Sequence, residues 1–150
     1  MNMSDAWRLT APKPEAIPLP LERAMHAGIF EWSQRAAGKW PSLKGLFHVP
    51  NGERRSPVTA SLLKRLGQRN GVPDFLLPAL HAGYVGLAME VKRKPNVVTD
   101  EQQWWLDFLA AARWKTVVAW SIDEGIEALQ QYVSASPTLI VPHYAVDVPF

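Results

Sequence analysis

The chain of 150 residues is long enough to form one domain with its own core, and its 47% hydrophobic and 20% charged residues are ordinary for a water-soluble globular protein. Because cysteine is absent, disulfides, zinc–thiolate sites and iron–sulfur clusters are excluded. We find neither a signal peptide nor an apolar stretch of about 18 residues, so we expect a cytoplasmic protein that does not contact a membrane.

The formal net charge of +2 conceals an uneven distribution of charge along the chain. The segment from Lys39 to Lys94 contains ten basic and three acidic residues. A basic middle between acidic ends favours a face that binds a polyanion such as nucleic acid. On charge alone, an ordinary solvated surface is the simpler explanation.

The first twenty residues are predicted to form an extended arm, because prolines at four positions forbid a regular helix there. From Leu21 onward, apolar residues recur at spacings of three and four, which predicts a helix that Gly38 and Pro41 end. Residues 46–49 are a candidate strand, which a turn signal at residues 50–52 closes.

A second helix is predicted to begin at Ser56, a suitable N-cap, with Pro57 at its first helical position. One stripe of apolar residues on this helix is expected to face the core, and Gly67 is expected to end the helix. The stripe consists of Val58, Leu62 and Leu66.

Two apolar runs follow, at residues 75–80 and 84–91, and the short segment between them predicts a β-hairpin. Thr99 and Gln102 have the spacing of a capping box, which predicts a third helix. The side chains of this helix that are expected to face inward are Trp105, Phe108, Leu109 and Ala112.

Residues 116–120 are predicted to form a strand, and Ser121 with Glu124 repeats the capping-box spacing at the start of a fourth helix. That helix is expected to bury Ile122, Ile126, Leu129 and Val133, and prolines predict an extended tail at residues 136–150. The order of elements predicts that residues 21–135 form one domain with an α/β fold, in which helices flank a mixed β-sheet.

The segment from Asp74 to Lys92 contains the residues most typical of chemistry. Side chains alternate along a strand, so Glu90 and Lys92 are expected on one side of the sheet, with Val91 pointing into the core. Asp74 opens the neighbouring strand of the hairpin. Two adjacent carboxylates repel each other unless a cation lies between them, and Mg²⁺ prefers such oxygen ligands. The alternative is a surface hairpin with a salt bridge at Glu90.

These residues suit the hydrolysis of a phosphodiester. A metal ion held by Asp74 and Glu90, with the carbonyl of Val91 as a further candidate ligand, would polarise the phosphate and acidify a bound water. Lys92 would orient that water, help to deprotonate it or neutralise the developing charge. Acidic and basic residues at such loose spacing are common, so this pattern alone does not identify a nuclease.

Five short motifs, in this order and at these spacings, resemble the VRR-NUC family, the virus-type replication-repair nucleases of the PD-(D/E)XK superfamily. The motifs are FHVPNG at residues 47–52, LKRLG at 63–67, GVPDFLLP at 71–78, GLAMEVK at 86–92 and EQ at 101–102. The resemblance covers residues 21 to 133 approximately. It implies a restriction-endonuclease-like core and Mg²⁺- or Mn²⁺-dependent cleavage of DNA.

By this resemblance Asp74 and Glu90 are metal ligands and Lys92 is the catalytic lysine. Gln102 corresponds to the family's helix glutamine near the active site, and Glu22 to its N-terminal acidic residue, which binds metal directly or through water. Where the family usually has a glutamine four residues after that glutamate, this chain has His26. Alternatives stay open: helix capping alone for Gln102 and an exposed acid for Glu22. His26 shares a helix face with Glu22 and is either a neighbour of the metal ligands or, more simply, a surface histidine.

Polar and basic residues near the motifs are predicted to contact DNA, mainly at phosphates, which position DNA without reading its sequence. The turn after His48 lies near the DNA side in this family, although a lone histidine at a strand end is usually structural. The predicted DNA-binding residues are His48, Asn51, Arg54, Arg55, Lys64, Arg65, Arg93 and Lys94.

Family members that consist of this domain alone resemble phage and bacterial homodimers that cut branched DNA such as four-way (Holliday) junctions. The resemblance therefore implies a homodimeric, structure-selective endonuclease of replication or repair, in a bacterium or a phage-infected cell. A non-catalytic DNA-binding protein with the same fold is one alternative, which metal-dependent cleavage would exclude. A restriction-type enzyme is another, and it would cut linear duplex as readily as branched DNA.

Overall fold

The computed structural model describes residues 21–51 and 56–135. The predicted arm at residues 1–20, the predicted tail at residues 136–150, and both Arg54 and Arg55 lie outside the described residues. Within these ranges the helices and strands follow in the predicted order, with one additional 3₁₀ helix. None of the helices in the described ranges is long and apolar enough to cross a membrane.

The described ranges form an α/β fold with a mixed sheet, as predicted from the order of elements. The helices are α1 (Glu22–Ala36), α2 (Pro57–Arg65), α3 (Asp100–Ala111) and α4 (Ile122–Ser134). The strands are β1 (Phe47–His48), β2 (Phe75–Leu77), β3 (Gly86–Val91) and β4 (Trp114–Ala119). The 3₁₀ helix, Pro41–Gly45, lies between α1 and β1.

The four strands lie in the sheet in chain order, and β3 is at its buried centre. β1 pairs with β2 and β2 with β3 in antiparallel fashion, whereas β3 and β4 are parallel. The predicted hairpin is confirmed, because Phe75 pairs with Met89 and a bridge between His81 and Tyr84 closes the connection. Since α1, α3 and α4 all contact β3, every residue of this strand is buried, Glu90 included.

The core lies between the sheet and the helix pair formed by α1 and α4. α1 contributes Met25 and Ile29, and α4 contributes Leu129 and Val133, each pair at the spacing of four that places side chains on one helix face. Complete burial of a side chain such as Leu129 contributes roughly 1.5–3 kcal/mol to stability. This packing fixes the start of α1 relative to the strands.

The predicted inward stripe of α2 is wrong, although Ser56 caps this helix and Gly67 follows its end as predicted. Val58 is 80% exposed and Leu66 74% exposed, and Leu62 is exposed as well. No residue of α2 is buried, because the helix lies at the surface of the described chain. Its apolar stripe therefore faces outward.

The inward face of α3 is also displaced from the prediction. Leu106 is the buried residue, whereas Phe108 is 53% exposed and Ala112 is exposed. Trp105 and Leu109 are half-buried, in agreement with the prediction. The observed inward stripe runs from Gln102 through Leu106 to Leu109, at spacings of four and three. A search for apolar periodicity misses this stripe, since its first member is a glutamine.

In α4 the predicted burial is confirmed for Leu129 and Val133, whereas Ile122 and Ile126 are half-buried. The predicted second capping box is only half formed. The Ser121 hydroxyl accepts the Glu124 N–H at 3.1 Å, but the Glu124 carboxylate accepts the N–H of Trp120.

Candidate active site

Asp74 is held immediately before β2 by hydrogen bonds to both neighbouring strands. The N–H of Val49, directly after β1, donates to the main-chain carbonyl of Asp74 at 2.8 Å. The N–H of Val91, in β3, donates to Asp74 Oδ2 at 2.8 Å. With 8% of its surface exposed, Asp74 is buried. The strand pairing thereby places this carboxylate beside the end of β3.

Glu90 lies within β3 and is 1% exposed. Its Oε1 accepts hydrogen bonds from Lys92 Nζ, at 3.0 Å, and from the side-chain amide of Gln102. Lys92 follows Glu90 by two positions, and strand alternation brings the two side chains together as predicted. Glu90 Oε2 is buried and has no hydrogen-bond partner among the described residues.

The surroundings of Glu90 disfavour its charged form in the metal-free protein. Burial and, next, the neighbouring Asp74 carboxylate raise the pKa of Glu90 from its usual 4.5 to about 7. The hydrogen bond and charge of Lys92 act in the opposite direction, and Glu22 adds a smaller repulsion. The site therefore holds more negative charge than Lys92 compensates.

Gln102 both caps α3 and donates a hydrogen bond to Glu90. Its Oε1 accepts the N–H of Thr99 at 2.9 Å, and its own N–H donates to the Thr99 hydroxyl at 3.3 Å, which completes the capping box. Its Nε2 donates to Glu90 Oε1. The first turn of α3 is thus tied directly to β3.

The loop before Asp74 packs closely against the start of α3. Gly71 has a φ of +76°, and a Cβ there would lie 2.8 Å from the main chain of Glu101. The Trp105 indole N–H donates to the carbonyl of Asn70 at 2.9 Å, and the Asn51 side chain donates to the carbonyl of Val72. Position 71 requires glycine because its φ is positive and because a Cβ would clash with the main chain of Glu101.

A pocket of about 290 Å³ connects these groups with the start of α1. Its lining is rich in carboxylates and side-chain amides, and consists of Glu22, Asn51, Gln68, Asn70, Gly71, Asp74, Glu90 and Gln102. The structure therefore brings Glu22 from α1, Asp74 from the start of β2 and Glu90 from β3 to one place.

The donors present fit Mg²⁺ or Mn²⁺. Three carboxylates surround the pocket, and hard divalent cations take oxygen ligands. The unpartnered Oε2 of Glu90 and the raised pKa of this residue are both features that a bound cation would relieve. Val91 contributes its N–H to Asp74, and its carbonyl as a metal ligand stays a prediction.

The predicted DNA-binding residues are distributed over several surfaces. Asn51 lines the pocket, and exposed His48 lies on β1, close to Asp74. Lys64 and Arg65 are exposed on α2. Half-buried Arg93 and exposed Lys94 line a different pocket, of about 460 Å³. Lys64, Arg65, Arg93 and Lys94 do not line the 290 Å³ pocket that holds the three carboxylates.

The sequence left the place of His26 open, and it did not predict that Gln68 and Asn70 belong to the site. His26 Nε2 lies 3.5 Å from Asp74 Oδ2, and its spacing of four from Glu22 was the available signal. Gln68 and Asn70 line the pocket from the loop before β2, where no periodicity indicates which side chains face a site.

Comparison with known proteins agrees with this architecture. The family model of the VRR-NUC domain matches residues 31–122. The chain belongs to the VRR-NUC family. A solved structure described as a VRR_NUC domain protein has a TM-score of 0.69 and 27% identity, and the match covers 81% of this chain and 94% of that chain. No curated protein matches the chain.

The VRR-NUC assignment confirms the resemblance in the sequence and the restriction-endonuclease-like fold. The matched segment includes Asp74, Glu90, Lys92 and Gln102, and it begins after Glu22. VRR-NUC domains are of nuclease type, which implies DNA as the substrate, and nucleases of this type typically use divalent metal ions.

Proposed function

We propose that this VRR-NUC domain is a Mg²⁺- or Mn²⁺-dependent endonuclease that hydrolyses phosphodiester bonds of branched DNA, as a homodimer. The observation that carries the proposal is the convergence of Glu22, Asp74 and Glu90 on one pocket, with Lys92 bonded to Glu90 at 3.0 Å. A non-catalytic DNA-binding protein is disfavoured, because a site that no longer acts would not need to keep this combination of buried acids and lysine.

The three carboxylates would hold the metal ion, with the Val91 carbonyl as a further candidate ligand. Such an ion would polarise the scissile phosphate and lower the pKa of a water molecule. Loss of a proton from that water would supply the hydroxide that attacks the phosphate. Lys92 and Gln102 both bond to Glu90 Oε1, so Oε2 is the oxygen left for a cation. The ammonium of Lys92 orients the attacking water, assists its deprotonation or neutralises charge that develops on the phosphate.

DNA contacts are assigned to residues around the pocket and on the basic surfaces. Asn51 lines the pocket and His48 lies on the adjacent β1. Lys64 and Arg65 on α2, together with Arg93 and Lys94 after β3, would contact phosphates farther along the duplex. Arg54 and Arg55 follow Asn51 in the sequence and complete the proposed DNA-binding set.

The proposed homodimer would place two active sites on a symmetric branched substrate, so that two strands are cut. The exposed apolar stripe of α2 is the surface that we assign to the second copy. Light scattering at several concentrations measures the molar mass. We expect a dimer that Leu62→Lys dissociates. A monomeric wild-type protein would contradict the dimer, and a dimeric variant would contradict the assignment of α2.

The decisive experiment compares a labelled four-way junction with a linear duplex of matching sequence, in Mg²⁺ or in EDTA. We expect the junction to be cut in Mg²⁺ and not in EDTA, and we expect Lys92→Ala and Asp74→Ala to abolish cutting. Lys115→Ala, at an exposed lysine of β4, is the control that keeps activity.

Each other outcome selects a different function. Equal cutting of both substrates would remove the selectivity for branched DNA and favour a restriction-type enzyme. Binding of DNA without cutting, in Mg²⁺ and in Mn²⁺, would favour a non-catalytic DNA-binding protein.

A further inference from the structure

Beside the pocket, two imidazoles approach the carboxylate of Asp74 from α1 and β1. His26, His48 and Asp74 each offer one ligand atom, and these atoms lie within 4.8 Å of one another. We propose that these three residues bind a divalent transition-metal ion of the zinc type. This site takes a different class of ion from the oxygen-lined pocket, and Asp74 is common to both.

The distances suit such an ion after small side-chain rotations. Ligand atoms about 2.1 Å from a tetrahedral ion lie about 3.4 Å apart. His26 Nε2 and Asp74 Oδ2 are already separated by 3.5 Å. The two imidazole centroids are 4.9 Å apart, so rotation about the side-chain bonds of His48 brings the third ligand atom in.

The fold holds the two histidines in place from separate elements. α1 places His26 one turn after Glu22, and the pairing of β1 with β2 places His48 opposite Phe75. Both imidazoles contact the Phe75 ring, at centroid distances of 5.7 Å for His26 and 5.3 Å for His48. Phe75 is fully buried, so it is a rigid support for both rings.

One ligand atom of the cluster, His26 Nε2, is buried and makes no hydrogen bond with the described residues. Metal coordination would satisfy this nitrogen, and Asp74 keeps lone pairs for a ligand bond while Oδ2 accepts the Val91 N–H.

The chemistry of the ligands separates this site from the Mg²⁺ pocket. Imidazole nitrogen suits Zn²⁺, Co²⁺ and Ni²⁺, whereas Mg²⁺ requires oxygen ligands and retains its waters. Neither His26 nor His48 lines the 290 Å³ pocket. Zn²⁺ should therefore bind even when Mg²⁺ is present in large excess.

The test measures binding, so its result does not depend on nuclease activity. The full-length protein is titrated with Zn²⁺ by calorimetry in excess Mg²⁺, and with Co²⁺ while visible absorption is recorded. We expect one Zn²⁺ per chain, and with Co²⁺ the strong visible bands of a four-coordinate ion. Complete displacement of Zn²⁺ by excess Mg²⁺ would overturn the proposal.

Single variants identify the ligands. We expect His26→Gln and His48→Gln each to weaken Zn²⁺ binding at least about tenfold, since loss of even an outer-shell partner costs 10–100-fold. Lys92→Ala should bind Zn²⁺ as the wild type does. This control separates the two proposals, because it is expected to lose cleavage and keep zinc. Unchanged Zn²⁺ affinity in both histidine variants would overturn the site.

A second measurement distinguishes the loss of a zinc ligand from the unfolding of the variant. Zn²⁺ bound to the folded state alone should raise the unfolding temperature of the wild-type protein. The same Zn²⁺ concentration should not raise the unfolding temperature of His26→Gln. A cooperative unfolding transition of this variant without zinc shows that it is folded. An equal rise in wild type and variant would contradict coordination by His26.

Discussion

The side chain of Gln102 links the first turn of α3 to the carboxylate of Glu90. Its Oε1 accepts the N–H of Thr99 at 2.9 Å, and its Nε2 donates to Glu90 Oε1. One amide therefore contributes to the stability of the helix and to the orientation of a proposed metal ligand. Because the other half of the cap is made by Thr99, the two contributions can be separated by mutation.

Gln102→Ala should lower both stability and cleavage, whereas Thr99→Ala should lower stability alone. Loss of a cap costs about 1 kcal/mol, which urea unfolding measures. Loss of the bond to Glu90 should slow junction cleavage at least about tenfold, the effect of an outer-shell partner. If Thr99→Ala slows cleavage as much as Gln102→Ala does, the bond between Gln102 and Glu90 has no positioning role.

Mg²⁺ binding should weaken as the pH falls below about 7. The pKa of Glu90 is raised to about 7 by burial and by Asp74, so a proton must leave when a cation binds. We expect the association constant to fall about tenfold per pH unit below that value, and to level off above it. Calorimetry in two buffers of different ionisation enthalpy counts the released proton. An affinity independent of pH between about 5.5 and 7 would contradict this prediction.

The metal-free protein should lose stability as the pH rises from 4.5 to about 7. The folded state holds the proton of Glu90 more tightly than the unfolded chain does, since the pKa is about 7 when folded and 4.5 as its usual value. The stabilisation is thus complete below pH 4.5 and is lost as the pH passes about 7. The loss is on the order of 3 kcal/mol, from 1.36 kcal/mol per pKa unit.

This loss is measured by urea unfolding in EDTA, with Glu90→Gln as the reference, because the amide does not titrate. The free energy of unfolding of the wild type, relative to that of Glu90→Gln, should fall as the pH rises. A change in the opposite direction would show that Lys92 keeps Glu90 ionised in the folded protein.

Gly71→Ala should be more damaging than Gly67→Ala. Both glycines have positive φ, +76° and +96°, so each alanine incurs a conformational cost of about 1–2 kcal/mol. A Cβ at Gly67 meets nothing within 4 Å, whereas one at Gly71 would lie 2.9 Å from the N–H nitrogen of Gln102. We expect only Gly71→Ala to slow cleavage. Equal losses of stability and activity would exclude a role for the close contact.

Lys64→Ala combined with Arg65→Ala should weaken DNA binding without changing the chemical step. The logarithm of the DNA association constant falls linearly with the logarithm of the salt concentration. Each phosphate contact removed should reduce the magnitude of that slope by about one. Cleavage at saturating DNA should keep its rate, because neither side chain lines the pocket. Binding is measured by fluorescence anisotropy over a series of salt concentrations, with Lys115→Ala as control. An unchanged salt dependence would remove α2 from the DNA-binding surface.

The order of the elements and the hairpin could be predicted from the sequence, because their signals are local. Thr99 and Gln102 identify the start of α3 by their spacing, and alternation along β3 places Glu90 and Lys92 on one side. These relationships involve residues within a few positions of each other. They do not depend on how distant elements pack.

The errors concern which surface a helix presents to the core. An apolar stripe on α2 indicates amphipathic character, but it does not distinguish burial against the sheet from exposure at the protein surface, where Leu66 lies. In α3 the inward stripe begins with Gln102, whose polarity conceals it. The proximity of His26 to Asp74 depends on the packing of α1 against the strands, and its spacing from Glu22 indicates only that the two side chains share a helix face.

The hydrogen bond from the Val91 N–H to Asp74 Oδ2 sets the position of this carboxylate through the sheet itself. Because this hydrogen bond restrains the side chain, part of the entropy cost of ordering it for a ligand is met when the strands pair. Asp74 is thus preorganised for its proposed role as a metal ligand. Asp74→Asn would keep an acceptor for this N–H in its amide oxygen and remove the charge, whereas Asp74→Ala would remove both.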